Sequence, residues 1–447
     1  MFLISWMLNS AYLLLLCAAS PLLCYRSLRY GKYRSGWSQK LFGRTPIRTS
    51  ARACVWFHAV SVGEVIQLGK VIEQFRGLRP GCDIWISTTT STGYTVARKK
   101  FSDHHVCYFP LDFSWATRNA IARIRPDAIV LVELELWPNF ILQAARARLP
   151  VALINGRVSD NSYRGYQWIR PLVRLLLRRL SLIAVQNQQY AERLIDLGAD
   201  ANQIQITGSI KFDQVETNRE NPASRQLQLL LGLQENEQVL VVGSTQAPEE
   251  ALALDCYQKL KQQFQSLRLI LVPRHQERFD EVANLVVSRG LPLRRRSECE
   301  HRQADHPDSC SAQSETPVIL LDTLGELVAC WGLADIAFVG GSLSSRGGQN
   351  MIEPSGYGAA VVFGPHTHNF RDVVQLLLSH NAATVVADSD QLDSCVRRFL
   401  EDPESARRVG QLAQQLVLKQ QGATATTSRL IDQMLADHAP PPATRAA

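Results

Sequence analysis

Four charged residues in three motifs stand where apolar runs end in the first half of the chain, and each could do chemistry. Glu64 closes His58-Ala59-Val60-Ser61-Val62-Gly63-Glu64, which joins the end of an apolar run to the start of a helical pattern. A carboxylate at a helix N-terminus is kept ionised by the helix dipole and could take a proton from an attacking hydroxyl. Ser61-x-x-Glu64 also spells a capping box, in which Glu64 only satisfies a backbone N–H. Glu133 and Glu135, in Glu133-Leu134-Glu135-Leu136-Trp137-Pro138-Asn139, end a very apolar run. Acids two apart share one strand face. Two of them at a buried strand end are costly unless paired or functional. An ion pair with Arg157 or Lys211 is the structural alternative. Lys211, in Gly208-Ser209-Ile210-Lys211-Phe212-Asp213, could place a cation beside them or be solvated surface, as lysines usually are.

The second half carries residues suited to an anion. Gly243-Ser244-Thr245 ends one apolar run and Pro273-Arg274-His275 the next. A glycine turn, two hydroxyls and an arginine at adjacent strand ends make a phosphate cradle. Gly340-Gly341-Ser342, then Gly347-Gly348-Gln349-Asn350-Met351-Ile352-Glu353-Pro354, reads as a glycine-rich loop feeding a helix. Glu353 could hydrogen-bond a ribose there, and Leu324-Gly325-Glu326 opens a short helix that could reach the same place. The plainer alternative is a flexible loop with a helix-starting acid. Neither G-x-x-x-x-G-K-[ST] nor G-x-G-x-x-G occurs, so P-loop and dinucleotide readings lose their main support. Asp388-Ser389-Asp390 suits an N-cap better than a metal, and the ten histidines do not cluster at ligand spacing. The expectation is no metal and no cofactor. The ten cysteines contain no C-x-x-C pair, which argues against a disulfide scaffold or structural zinc.

These residues need strands to end at them. Short apolar runs alternate with helical patterns: strands are expected at residues 54–57, 83–87, 128–134, 151–155 and 182–186. Residues 64–78 place Val65, Leu68, Val71, Ile72 and Phe75 on one helix face. After a polar stretch the rhythm restarts, with strands expected at 239–242, 269–272, 318–321, 336–339 and 361–363. Residues 294–316 read as an exposed loop or local disorder, and 390–435 as helix-rich. The fold class is α/β: two Rossmann-like parallel-sheet domains with a cleft at their sheets' carboxyl edges. The expected divisions are 1–25, a membrane anchor; 26–52, a basic juxtamembrane segment; 53–213, the first domain; 214–225, a linker; 226–436, the second domain with closing helices; and 437–447, a disordered tail.

The charge is uneven. The formal total is +7, yet residues 1–52 hold eight Lys and Arg and no acid, while the rest holds 40 basic and 41 acidic side chains. A near-neutral body behind a basic segment does not fit nucleic-acid binding, which needs cations across a binding face. No charged residue occurs from Met1 to Tyr25. That length can span a bilayer, and the cations on its C-terminal flank place the body on the cytoplasmic side, against anionic lipids. Pro21 would kink or end the helix. A helix lying in the interface is the alternative. A cleaved signal peptide lacks its basic n-region.

Taken together, the motifs resemble the bacterial 3-deoxy-D-manno-octulosonic acid (Kdo) transferase family. H-A-x-S-x-G-E, E-x-E-L-W-P-N, I-K-F-D, G-S-T, P-R-H, L-G-E-L and G-G-x-N-x-x-E-P occur in that order, followed by Phe363-Gly364-Pro365-His366. The resemblance implies a GT-B fold and inverting, metal-independent transfer of Kdo from CMP-Kdo to a lipid A precursor at the inner membrane. It implies acceptor binding in the first domain and nucleotide binding in the second. By position, Glu64 matches the catalytic base, and Glu133 and Lys211 match residues supporting the transition state. Pro273-Arg274, Leu324-Gly325-Glu326 and Asn350-Met351-Ile352-Glu353 match the CMP-binding segments. Gln246 and Gln349 stand where histidines are common in the family, Ser209 where Asn is frequent, and Leu134 where Thr is usual. A different membrane GT-B enzyme, or an inactive binding relative, is the competing reading.

Overall fold

The computed structural model describes residues 2–30, 35–299 and 316–438. It divides into two compact units, Met1–Gln214 with Gln420–Ala447, and Val215–Lys419. Among the described residues each unit carries one seven-stranded sheet, with every pairing parallel.

The first sheet comprises β1 (Cys54–His58), β2 (Asp83–Thr88), β3 (His105–Tyr108), β4 (Ala128–Val132), β5 (Val151–Gly156), β6 (Leu182–Val185) and β7 (Ile204–Ile206). Its order is β3-β2-β1-β4-β5-β6-β7. Strand order reverses between β1 and β4, and ligands of open parallel sheets bind outside the carboxyl ends at such a point. The second sheet comprises β8 (Gln238–Thr245), β9 (Leu267–Pro273), β10 (Leu293–Arg295), β11 (Val318–Leu320), β12 (Ile336–Val339), β13 (Ala360–Phe363) and β14 (Thr384–Val385). Its order, β10-β11-β9-β8-β12-β13-β14, reverses between β8 and β12.

Helices cover both faces of each sheet, so the central strands are buried on both sides and read as unbroken apolar runs rather than alternating ones. β1 and β4 are buried at every residue. In the first unit the helices used below are α1 (Phe2–Tyr30), α2 (Trp37–Phe42), α3 (Val62–Leu78), α4 (Ser91–Lys100), α5 (Ser114–Ile124) and α6 (Pro138–Arg146). The apolar face of α3 packs under β1 as its spacing predicts, with Val65, Leu68, Val71, Ile72 and Phe75 all buried.

Several expectations need correction. The helix-rich ending does not all belong to the second unit: the last helix, Ala423–Asp437, joins the first. Its Ile431, Met434 and Leu435 share a core with Val65, Leu68 and Ile72. Ser428 donates to the Val71 carbonyl at 3.1 Å, and Arg79 pairs with Asp432. The N-terminal helix does not stop at Pro21 or at residue 25 but runs through both to Tyr30. A helix begins inside the expected linker, at Pro222, where Asn221 accepts the Ser224 N–H at 3.0 Å. The stretch expected as a loop from residue 294 starts with β10 and a 3-10 turn, Arg296–Glu298. The remainder of that stretch, residues 300–315, lies outside the described residues, as does the expected tail from residue 439.

Candidate active site

Glu64 sits on the third residue of α3, directly after β1 at the reversal point. Ser61 caps the helix, its Oγ accepting the Glu64 N–H at 3.3 Å. In return the Ser61 hydroxyl donates to Glu64 Oε1 at 2.6 Å, and the Val60 N–H donates to Oε2 at 2.8 Å. The capping box is therefore real, and it holds the carboxylate in one orientation rather than competing with a catalytic role. Each oxygen keeps a lone pair free to accept a further proton. The turn that carries it is itself fastened, since Thr88 and Thr89 hydroxyls both donate to the Val60 carbonyl. Burial pushes the Glu64 carboxyl above the ordinary glutamate range; the Ser61 and Val60 donors oppose this and the Glu133 charge adds to it.

Glu133 and Glu135 do not share a strand face. β4 stops at Val132, and Glu133 turns the chain with φ of 60°, a conformation that non-glycine residues seldom adopt. Such strain costs about 1–3 kcal/mol and persists where surrounding contacts over-determine it. Here the Glu133 N–H donates to the Ile154 carbonyl at 2.9 Å. The carboxylate lies 4.0 Å from Lys211 Nζ, with both side chains under a third exposed. Glu135 is pushed up to about 7, by burial first and then by the charges of Glu64 and Glu133. Three carboxyl groups and one lysine thus converge beyond β1 and β4.

Asn155 was not singled out by the sequence, yet it secures Lys211. It is the last residue but one of β5, with φ of 54°, and is fully buried. Its Oδ1 accepts the Ile210 N–H at 3.3 Å, one residue before Lys211, and its Nδ2 donates to Gln67 at 3.3 Å. The available signal was an Asn before a Gly at a strand end, since Asn tolerates the left-handed region. His58, the first residue of its motif, is not an acid or base. It is fully buried, stacked on Phe109 at 3.6 Å, and pushed down to about 3 by burial.

In the second unit the residues expected to bind an anion flank the β8–β12 reversal. β8 ends in Gly243-Ser244-Thr245, with Ser244 at φ 55°. Gly340 follows β12, and a side chain there would meet the Ser244 carbonyl and Thr245 Cα at 2.7 Å, so only glycine fits. Glu249, which sequence reasoning passed over, organises this turn. Its buried carboxylate accepts four backbone N–H groups, from Gln246, Gly341, Ser342 and Leu343, at 2.7–3.0 Å. Two acids after a proline at a helix start were the only signal for it, and helix-starting acids are common. Gln246 and Gln349 both border Gly341, so two of the four positions that depart from the family pattern lie at one spot.

Pro273 closes β9, and Arg274 beyond it is exposed, its N–H donating to the Thr245 carbonyl at 3.0 Å. Asn350 accepts the Ile352 N–H at 3.1 Å and donates to Glu353 Oε1 at 2.9 Å. Burial raises the Glu353 carboxyl, against the Asn350 hydrogen bond and the Arg274 charge. Arg274, Asn350 and Glu353 are thus brought together. Met351 and Ile352 are buried at 0% and 2% exposure; their side chains pack and do not present polar groups. Leu324 is 71% exposed and Gly325 turns the chain at φ 91°. Glu326 is engaged by Arg296 at 2.8 Å and by Thr323. The helix that follows it, Leu327–Trp331, packs on the helix Ile352–Gly356. Asp388 caps its helix through the Gln391 N–H, as expected.

Residues 34–214 match the family described as 3-deoxy-D-manno-octulosonic-acid transferase (kdotransferase). The chain is 32% identical to the 3-deoxy-D-manno-octulosonic acid transferase of Haemophilus influenzae over 85% of its own length and 86% of the relative's. It is 31% identical to the enzyme of that name from Bordetella pertussis, over 96% of this chain and 99% of the other. Among solved structures, UDP-GlcNAc 2-epimerase from Neisseria meningitidis aligns with a TM-score of 0.58 at 12% identity, covering 86% of this chain and all of that one. That likeness shows the GT-B type of fold. With both sheets, the strand-end motifs and the relatives in agreement, the chain belongs to the 3-deoxy-D-manno-octulosonic acid transferase family, glycosyltransferases of lipopolysaccharide synthesis.

Proposed function

We propose that the chain transfers Kdo from CMP-Kdo to a lipid A precursor by a single inverting displacement that needs no metal ion. The observation that carries this is the Glu64 carboxylate, fixed by Ser61 and Val60 beyond β1 and raised above its ordinary range. A base works best with a pKa near the operating pH. Glu64 takes the proton of the acceptor hydroxyl as its oxygen bonds to the anomeric carbon of Kdo. The bond from that carbon to the phosphate oxygen breaks, and its electron pair leaves with CMP. The transition state has oxocarbenium character, as in other glycosyl transfers. Lys211 pairs with the carboxylate of Kdo, and Glu133 holds Lys211 when no sugar is bound. Arg274, its backbone fastened to Thr245 at the end of β8, meets the phosphate, and Glu353 the ribose.

On this reading the first unit recognises the acceptor and the second the donor. The body works on the cytoplasmic face of the inner membrane, which supplies the lipid acceptor and anionic lipids. Incubation with CMP-Kdo and a tetraacylated lipid A precursor, with mass analysis, tests it. The expected result is addition of Kdo with release of CMP, undiminished by EDTA, and an inverted anomeric configuration by NMR. Release of UDP from a UDP-sugar instead, or loss of activity with EDTA, contradicts the proposal.

A further inference from the structure

The first half of the N-terminal helix turns most of its polar side chains toward the protein. α1 holds a 19-residue window, Ile4–Leu22, long and apolar enough to cross a membrane. Its polar side chains Ser5, Asn9, Ser10 and Tyr12 turn inward, buried or half-buried. Trp6, Met7, Leu14 and Leu28 point outward at 62–80% exposure. A helix in water shows the opposite pattern, and an apolar stripe of this length marks a lipid-facing surface.

The inward face is bonded to the catalytic unit. Asn9 donates to Ser114 Oγ at 2.8 Å and accepts the Ser114 N–H at 2.9 Å and Asn139 Nδ2 at 3.2 Å. The Tyr12 ring meets Phe113 edge to face. Asn9 lies five residues, ~8 Å, inside the apolar window. If α1 crossed the bilayer with its cationic flank beside the body, Asn9 and Tyr12 would lie in the far leaflet. They could not then touch α5 and α6, which are built into the first sheet's core.

The helices around this contact carry no acid; Asp112, which Tyr12 hydrogen-bonds, is buried beneath them. α1, α2, α5 and α6 pack together, and none contains Asp or Glu. A groove of about 520 Å³ between α1, α5 and α6 is lined by Trp6, Trp115, Ile121, Arg118 and Arg146. Both arginines are exposed. Aromatic and aliphatic walls with two cations and no anion suit an acyl chain ending in a phosphate.

We propose that α1 lies along the membrane surface, clamped to the catalytic unit, and that the α1–α5–α6 groove seats an anionic phospholipid with its phosphate on Arg118 and Arg146. This rests on the membrane association proposed above and is independent of Kdo transfer. Two measurements on the full chain test it. In membrane vesicles with the cytoplasmic face outward, a protease-cleavable tag ahead of Met1 is expected to be cut from outside; full protection overturns the in-plane placement. In flotation, the protein is expected to prefer phosphatidylcholine vesicles containing phosphatidylglycerol over phosphatidylcholine alone. Arg118→Gln/Arg146→Gln should weaken that preference roughly tenfold or more, from two lost headgroup contacts. Its transfer activity on a detergent-dispersed acceptor should stay unchanged, which shows that it folds. An unaltered preference in the double variant overturns the groove. Binding of the wild type to neither vesicle would instead remove the membrane reading beneath it.

Discussion

Glu64 gains its proposed role from three kinds of contact at once: a helix cap, a backbone donor, and the neighbouring Glu133 charge that makes its ionisation harder. The sign of the resulting pH dependence is fixed. A base must be ionised, so turnover should fall as pH drops through a value above the ~4.3 of an ordinary glutamate. Glu133→Gln removes the negative charge that raises Glu64, which then ionises more easily, so the acid limb of the kcat profile should move to lower pH. A limb that stays put or moves upward contradicts the proposed coupling. Residue type and spacing were enough to single out Glu64, Glu133 and Lys211, because unusual charges at the ends of apolar runs are conspicuous. They were not enough for Asn155 or Glu249. Both act by accepting N–H groups from segments that only the fold brings near, Ile210 in one case and Gly341 to Leu343 in the other. Sequence spacing also misled at Glu135, since the strained turn at Glu133 breaks the two-residue period.

At the scale of elements, the site depends on turns at strand ends being held in unusual conformations. Glu133, Asn155 and Ser244 all have positive φ, and each follows or ends a central strand. Glu249 does the corresponding work for the turn after β12. Glu249→Ala would leave four buried N–H groups without their acceptor, each costing about 1–3 kcal/mol. We expect a loss of at least ~3 kcal/mol in the second unit by thermal unfolding, and a rise of tenfold or more in KM for CMP-Kdo. Unchanged KM in folded protein would contradict the role given to this turn. The long central strands could be read from sequence, being continuous apolar runs. The edge strands β3, β7, β10 and β14 could not. They have two to four residues and include polar ones such as His105, Gln205, Arg294 and Thr384.

For the whole molecule, the chain's last helix returns to its first unit, something local periodicity cannot report because the apolar face looks the same whichever core it joins. A chain ending at Lys419 would expose Val65, Leu68 and Ile72 and lose the burial of Ile431, Met434 and Leu435. At about 1.5–3 kcal/mol per side chain, that approaches the whole stability of a typical domain. We expect the truncated chain to be insoluble or to unfold well below the full chain, and equal melting temperatures would contradict this. The central claim is narrower: one carboxylate performs the proton transfer on a scaffold that otherwise only binds and positions. Glu64→Gln keeps the shape of the capping side chain and removes the base. With CMP-Kdo and a tetraacylated lipid A precursor, its turnover should fall ~10²–10⁴-fold while its affinity for CMP-Kdo stays within a few-fold of wild type. Turnover close to wild type in that variant would contradict the account.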